Sequence, residues 1–338
     1  VLMARLRPQV VAHADWSIRA QGRWLAKAIL VEGRYRALSP EPAGPLDSFW
    51  PRVAAETGAG AALVGFDFPI GLPRAYALRC GIDEFIAVLP DLGQGAFARF
   101  YEVAVSPDEI AVRRPFYPRR ARQKGAALRR HLLDGLGLRE SAQLARRCDR
   151  KTAARNAACP LFWTAGANQV GKGAIVGWRD LLGPALRQDL DLAVWPFHGA
   201  LDRLIGQRRI VVAETYPGEV YGHLGLELRR HGGKREQAAR RANAARLLRW
   251  AAVAEIILEP ALRAAIEDGF GASSSGDDRF DAVVGLFGML NVVLGLRPSG
   301  EPDDPVVRRI EGWMLGLQDE ASSRSITRRH EVREESPG

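Results

Sequence analysis

The chain has few of the residues that build thiolate, imidazole or membrane-spanning sites. It contains three cysteines and six histidines in 338 residues. Cys80, Cys148 and Cys159 form no Cys-x-x-Cys pair, which argues against a disulfide framework or a zinc–thiolate centre and suits a reducing compartment. There is no apolar run of about eighteen residues and no signal-peptide pattern at the N-terminus. We therefore expect a cytoplasmic protein with no membrane partner.

Positive charge is abundant but unevenly distributed. The net charge is +9, with 47% hydrophobic and 26% charged residues, which is typical of a globular protein. Between Arg113 and Arg155, fourteen Lys or Arg residues face only three acids, so this segment alone carries +11. Such a segment is typical of a surface that binds a polyanion, most commonly nucleic acid, but a solvated helix face gives the same composition.

Apolar runs predict a mixed α/β order. A short strand ends at Asp15, a hairpin follows around Glu32-Gly33, a helix covers about 48–57, and a buried strand ends at Asp67. Helical segments broken by Pro and Gly occupy 74–207. The run RRIVVAE then predicts a strand that ends at Glu214. Beyond it we expect a short helix, a polar loop, one long helix to about residue 257, another helix over 260–268 and a helix that opens with Asp277, Asp278 and Asp281.

Single acids end three of the predicted strands, namely Asp15, Asp67 and Glu214. Ligands of open α/β sheets collect at the carboxyl ends of strands, so neighbouring strands would bring these acids together. Asp278 and Asp281 lie three residues apart on one helix face. Carboxylates without cysteine or histidine favour Mg²⁺ or Mn²⁺, and two such ions roughly 4 Å apart can drive phosphodiester hydrolysis. The alternative for each acid is a turn or a helix cap.

The order of these motifs resembles known nucleases. A β-β-β-α-β order with acids at the first and fourth strands, followed by a helix with Asp-x-x-Asp, resembles the ribonuclease-H-like fold and especially RuvC-type resolvases. The motifs ALVGFDFPIGLP, VVAETYPGEVY, DDRFDAV and EGW also resemble a bacterial family known as domain of unknown function 429, a predicted nuclease of that fold. The motifs occupy about 10–73 and 209–317.

The resemblance implies roles for six residues. Asp15, Asp67, Asp278 and Asp281 match the metal-binding acids, Lys234 stands where RuvC has a catalytic lysine, and Glu214 is matched only in the smaller family. The first motif departs from RuvC, because His13-Ala14-Asp15-Trp16-Ser17 is closer to the Asp-x-Ser of ribonuclease H. It also places the bulky Trp16 beside the site.

The middle of the chain carries two weaker signals. The stretch from Gly166 to Gly173, GANQVGKG, fits a phosphate-binding loop up to Lys172 but lacks the Ser or Thr that should follow. It predicts either a phosphate cradle or a glycine-rich turn before a packed helix. The run RRPFYPRRARQKGAALRR interleaves aromatics with Arg, as single-strand binders do. The cations that we expect to contact nucleic acid are Arg113, Arg114, Arg119, Arg120, Arg122, Lys124, Arg129, Arg130 and Lys172.

Together these observations predict an α/β protein with a ribonuclease-H-like mixed sheet flanked by helices, formed by 1–73 and 208–318. A large, mainly helical basic insertion is expected over 74–207 and a disordered tail over 319–338. The predicted function is a nuclease that uses Mg²⁺ or Mn²⁺ on DNA or RNA. Two alternatives stay open: a nucleic-acid-binding protein without activity, and a phosphotransferase of the actin-like fold, which shares the same core.

Overall fold

An eight-stranded mixed sheet forms the centre of the molecule. The computed structural model describes residues 7–119, 125–153, 155–165 and 169–319. The strands are β1 (Val10–Asp15), β2 (Trp24–Val31), β3 (Arg34–Ala37), β4 (Glu41–Pro42), β5 (Ala62–Phe66), β6 (Leu192–Val194), β7 (Ile210–Glu214) and β8 (Ile257–Leu258). Their order is β6-β7-β5-β1-β2-β3-β8, and β4 pairs with β2. The strands β6, β7, β5 and β1 run parallel, whereas β2 is antiparallel to both β1 and β3.

Helices cover both faces of this sheet. They are α1 (Phe49–Glu56), α2 (Arg74–Cys80), α3 (Phe85–Val88), α4 (Gly125–Leu136), α5 (Val170–Gly177), α6 (Gly183–Arg187), α7 (Leu201–Gln207), α8 (Pro217–His223), α9 (Gln237–Ala242), α10 (Ala244–Val253), α11 (Pro260–Asp268) and α12 (Gly276–Val293). Shorter helical turns are Ala20–Gly22, Leu89–Asp91, Gly95–Phe97, Pro107–Glu109, Ser141–Leu144, Arg147–Asp149, Trp178–Leu182, Leu228–His231 and Val307–Glu311. The coarse prediction of a mixed sheet flanked by helices is confirmed.

The hairpin between β2 and β3 follows from two residues. Glu32 and Gly33 have φ values of 49° and 79°. A two-residue turn with positive φ at both positions matches the twist of the strands that it joins, and glycine adopts this conformation without strain. The predicted hairpin is therefore confirmed.

The central strands separate two hydrophobic clusters. We call the side of Ala14, Phe66 and Val212 the first face, where these residues pack with α1 and with helices from 74–187. Val11 and Val211 lie on the opposite, second face, which α12 covers. Successive side chains of a strand point to opposite faces, so residues two apart share a cluster. This alternation decides which strand-end acids can meet.

The predicted insertion is joined to the sheet. Strand β6 lies within 74–207 and pairs with β7, and aromatics of this segment belong to the same cluster as Ala14 and Phe66. The indole of Trp178 donates a 2.8 Å hydrogen bond to the carbonyl of Pro69, just after β5. The exact limits of the insertion stay a prediction, and the predicted tail from 320 onward lies outside the described residues.

One helix of the expected series is interrupted. The single long helix predicted to end near residue 257 is instead α9 and α10, separated at Asn243, and the end of the predicted range forms β8. The buried Asn243 amide donates to the carbonyl of Ala239 and accepts from the backbone N–H of Glu227, both at 2.8 Å. A side chain that bonds neighbouring backbone groups in this way competes with a continuous helix.

Helix α12 lies directly against β1. All residues from Phe280 to Val293 are buried, and a glycine allows the close approach. A Cβ on Gly285 would lie 2.2 Å from the His13 imidazole. The same imidazole contacts the carbonyl of Ala282 through Nδ1 at 3.0 Å. The first turns of α12 are therefore held beside the end of β1.

Candidate functional site

Two neighbouring parallel strands bring Asp15 and Asp67 together. Asp15 is the last residue of β1, and Asp67 follows β5 by one residue. Ala14 is in register with Phe66, so the residues that follow them, Asp15 and Asp67, are level with each other. The Asp67 carboxylate accepts a 2.7 Å hydrogen bond from the backbone N–H of Trp16, and its charge acts on Asp15. The sheet itself therefore places these carboxyl groups in contact.

The first turns of α12 add Asp278 and Asp281 to this pair. Asp281 is 3% exposed, and its two oxygens accept hydrogen bonds from the Tyr221 hydroxyl and the Lys234 ammonium. Tyr221 belongs to α8, and Lys234 lies in the loop before α9. Five segments of the chain, namely β1, the end of β5, α8, the loop before α9 and α12, thus meet at one place. We refer to Asp15, Asp67, Asp278 and Asp281 as the four-aspartate cluster.

Burial and mutual repulsion raise the pKa values of Asp15, Asp67 and Asp278. Burial, followed by the charges of Asp67 and Asp281, raises the pKa of Asp15 well above its usual range, and Lys234 opposes this only in part. Burial is also the largest cause for Asp67, whose pKa rises to about 7, and for Asp278, whose pKa rises to about 6. Carboxyl groups so arranged are stabilised as anions by an added cation.

Lys234 supplies one positive charge to the cluster. Burial lowers the pKa of its ammonium, but the Asp281 carboxylate outweighs that effect, so the pKa is raised above its ordinary value. Its side chain is 40% exposed, whereas that of Asp281 is 4% exposed. One ammonium beside four carboxyl groups leaves an excess of negative charge when all of them are ionised.

The cluster is wider than the ligand set of a single ion. Over the described ranges, the one group of three Asp, Glu, His or Cys residues with donor atoms all within 4.8 Å is Cys148, Asp149 and Glu214. Within these ranges, no three of the four aspartates therefore have donor atoms all within 4.8 Å of one another. The donors of the cluster are all carboxylate oxygens, and the absence of sulfur and imidazole suits a hard cation such as Mg²⁺ or Mn²⁺.

Glu214 does not join the four aspartates. It is in register with Phe66, so its side chain lies on the first face, whereas Asp15 and Asp67 follow the alternation of the second face. There its carboxylate is paired with Arg146, with hydrogen bonds of 2.6 and 2.7 Å, and accepts a bond from the backbone N–H of Ile70. The expectation that Glu214 belongs with the strand-end acids is corrected, because strand register separates it from them.

Arg146 also explains the compact Cys148, Asp149 and Glu214 group. Its guanidinium is fully buried and bonds Asp149 at 2.9 Å as well as Glu214. This side chain supplies one positive charge and hydrogen bonds to both buried carboxylates. Burial raises the pKa of the Cys148 thiol well above its usual range, which disfavours a thiolate ligand. We therefore assign this group to folding rather than to metal binding.

The predicted basic contacts differ in availability. Arg119 and Arg129 are exposed, and Arg130 is exposed but paired with Asp134 on α4. Arg113 lies over the Phe97 ring, whereas Arg114 is ion-paired with Glu102 and Glu109. Arg120, Arg122 and Lys124 lie outside the described residues. Two further cations of the +11 segment, Arg146 and Arg155, are buried in ion pairs, so the composition overstates the charge available to a partner.

The glycine-rich segment opens a packed helix. Residues 166–168 lie outside the described part of the chain, and α5 begins at Val170. A Cβ on Gly171 would lie 2.6 Å from the carbonyl oxygen of Leu161, so this glycine is required for close packing. Lys172 donates to the side chain of Gln169 at 2.7 Å. These contacts favour the packed-helix alternative.

Sequence reasoning missed Tyr221 and Arg146. Tyr221 pairs with Asp281, 60 residues away, and Arg146 pairs with Glu214, 68 residues away, as well as with the nearby Asp149. The structure places the His13 ring between β1 and α12.

Comparisons with protein-family models, with curated proteins and with solved structures find no match to this chain. The family resemblance therefore depends on the quoted motifs alone. In the portion of the chain described by the structure, no helix combines the length and the apolar character needed to cross a bilayer.

Proposed function

We propose that the protein is a divalent-metal-dependent nuclease that hydrolyses nucleic-acid phosphodiesters at the four-aspartate cluster. The observation that carries this proposal is the meeting of Asp15, Asp67 and Asp281 around Lys234. They come from β1, from the end of β5 and from α12, and the charges of Asp67 and Asp281 both act on Asp15. Perturbed acids that converge from distant segments are a feature of functional sites.

The chain order supports the ribonuclease-H-like core as part of this proposal. The strands β1, β2 and β3, helix α1 and strand β5 follow one another, with the helical turn Ala20–Gly22 and the two-residue β4 between them. Asp15 ends the first strand of the series, Asp67 follows the last, and α12 supplies an Asp-x-x-Asp pair. These are the positions that the resemblance to RuvC-type resolvases requires.

The donors present fit Mg²⁺ or Mn²⁺. In this proposal Asp15 would hold both ions, and Asp67, Asp278 and Asp281 would complete their protein ligands. When bound, two such ions activate a water molecule and stabilise the leaving oxygen of a phosphodiester. The chain's own groups orient the ligands: the Trp16 N–H fixes Asp67, and Tyr221 fixes one oxygen of Asp281.

Lys234 has a position suited to both substrate and ligand. Its ammonium holds the second oxygen of Asp281, while part of the side chain stays exposed. A partly exposed cation beside the cluster would attract a phosphate group of the substrate. Arg119 and Arg129, both exposed, would attract further phosphate groups of the nucleic acid. We also propose that the protein is located in the cytoplasm, because its three cysteines are all unpaired.

A second candidate is a nucleic-acid-binding protein without activity. The contact between Lys234 and Asp281 favours it, because a lysine already balances part of the negative charge that would otherwise attract an ion. Binding that requires no divalent ion and falls steeply with salt would support this candidate.

The test compares cleavage by the wild type with that by Asp15→Asn, purified in parallel. Single-stranded, duplex and four-way-junction DNA and RNA are incubated with Mg²⁺ or Mn²⁺. Loss of cleavage in Asp15→Asn, with activity retained in the control Asp202→Asn on the exposed surface of α7, is the expected result. A wild type that cleaves none of these substrates, or an Asp15→Asn variant that cleaves as well as the wild type, would overturn the proposal.

A further inference from the structure

Thr215 lies in the same row as two of the aspartates. It directly follows β7, and its backbone N–H donates a 2.8 Å hydrogen bond to the carbonyl of Phe66. Since Glu214 is in register with Phe66, Thr215 is level with Asp67 on the neighbouring strand end. Asp15, Asp67 and Thr215 therefore form one row across three adjacent strands, spaced at about 4.8 Å from strand to strand.

The side chain of Thr215 lies on the face of α12. A Cβ on Gly65 would lie 2.7 Å from the Thr215 methyl and 2.5 Å from the sulfur of Met289, a residue of α12. Because Gly65 has no side chain, the Thr215 methyl and Met289 of α12 can both occupy the space above it. This is the face opposite to that of Glu214, and it is the face from which Asp281 approaches.

The hydroxyl of Thr215 is buried without a hydrogen-bond partner. The residue is 3% exposed, and within the described part of the protein no donor or acceptor contacts its Oγ1. Thr164, by comparison, is also buried, but its hydroxyl donates to the carbonyl of Pro118 at 2.9 Å. Buried polar atoms without partners cost stability, so a buried hydroxyl on the residue level with Asp67 calls for a ligand-bound state that satisfies it.

We propose that Thr215 is a positioning residue of the four-aspartate cluster. When a divalent cation is bound, the Thr215 hydroxyl donates a hydrogen bond to an oxygen of Asp67 or of water held beside it. This inference rests on the proposed function and extends it to a residue outside the acidic set. Groups that orient metal ligands in this way change metal affinity by about 10- to 100-fold when removed.

The experiment uses Thr215→Val, which keeps the shape of the side chain, and Thr215→Ser, which keeps the hydroxyl. Mn²⁺ binding is measured by titration calorimetry, and the stability of the metal-free protein by urea unfolding. We expect Thr215→Val to be at least as stable as the wild type without metal, and to bind Mn²⁺ about tenfold or more weakly. Thr215→Ser should retain affinity within about threefold. The control Thr164→Val should lose stability but keep Mn²⁺ affinity.

The outcomes separate this inference from the proposed function. A wild type that binds Mn²⁺ together with a Thr215→Val variant of equal affinity would overturn the role of Thr215 alone. A metal-free Thr215→Val protein that is less stable than the wild type would show that the hydroxyl already has a partner, which also overturns it. A wild type that binds no Mn²⁺ would overturn the metal site and the role of Thr215 with it.

Discussion

Glu214 ends β7 and Asp67 follows the neighbouring parallel strand β5, yet their carboxylates lie on opposite faces of the sheet. Glu214 is level with Phe66, one residue before Asp67, and this offset directs it toward Arg146 rather than toward Asp15. A single step in strand register thus separates a carboxylate that maintains the fold from one that belongs to the candidate metal site.

Replacing Glu214 should therefore affect folding and leave metal binding unchanged. Glu214→Gln leaves the fully buried Arg146 without one of its two charged partners, and breaking a buried ion pair typically costs about 3–5 kcal/mol. Urea unfolding measures this loss. The control Asp134→Asn breaks the exposed pair with Arg130 and should cost about 0.5 kcal/mol or less. If Glu214→Gln instead weakens Mn²⁺ binding and leaves stability unchanged, Glu214 belongs to the metal site.

The metal-free protein should lose stability as pH rises through 6 and 7. The folded-state pKa values of Asp67 and Asp278, about 7 and about 6, lie above the ordinary 3.8, so between these limits the folded chain binds more protons than the unfolded chain. Their contribution is complete below the ordinary pKa and is lost as pH rises through the folded-state values.

Asp67→Asn isolates this effect, because it removes one titrating group. With chelator present, the variant should be more stable than the wild type at pH 8, and its stability should decline less between pH 5 and pH 8. Urea unfolding across this range is the measurement. A wild type whose stability relative to Asp67→Asn increases with pH would contradict the raised pKa of Asp67.

The contact between Gly285 and His13 links the packing of α12 to the site. Gly285→Ala would place a methyl 2.2 Å from the buried imidazole, so either α12 or β1 must move. Such overpacking costs about 1–3 kcal/mol, and it should weaken Mn²⁺ binding because Asp281 and Asp15 belong to the two elements that separate. The control Gly173→Ala meets only Phe68, at 3.7 Å. It should be neutral or stabilising by up to about 1 kcal/mol, as in other helix interiors. Unchanged Mn²⁺ affinity in Gly285→Ala would show that the site does not depend on this contact.

Charge removal on α4 should weaken nucleic-acid binding in a salt-dependent way. Arg129 is exposed, so Arg129→Gln should lower affinity for all sequences and reduce the slope of log affinity against log salt by about 1. Arg114→Gln should leave the slope unchanged, because Glu102 and Glu109 already neutralise Arg114. Fluorescence anisotropy at several salt concentrations distinguishes the two. Equal slopes for Arg129→Gln and the wild type would remove α4 from the binding surface.

Local sequence patterns predicted much of the framework. Apolar runs located β1, β5 and β7, the pair Glu32-Gly33 located a hairpin, and Pro260 marked the start of α11. These features depend on residues close in sequence, where backbone preferences act directly. The acids at the ends of β1 and β5, and the pair on α12, were found for the same reason.

The remaining features depend on long-range contacts. The register that turns Glu214 away is fixed by pairing of β7 with β5, and the break at Asn243 involves the backbone of Glu227. The buried state of Arg146 depends on Glu214, 68 residues away. The prediction from composition included Arg146 among the surface cations, because composition alone does not distinguish a buried arginine from an exposed one.

The pairing of β6 with β7 has a consequence for how the molecule can be dissected. Excising 74–207 would remove Leu192–Val194 and leave β7 as a bare sheet edge, with unsatisfied backbone groups that promote aggregation. The nuclease-like motifs on either side could not be studied as a minimal fragment. An internal deletion would have to retain β6, the outermost parallel strand, and the aromatic residues that pack beneath it.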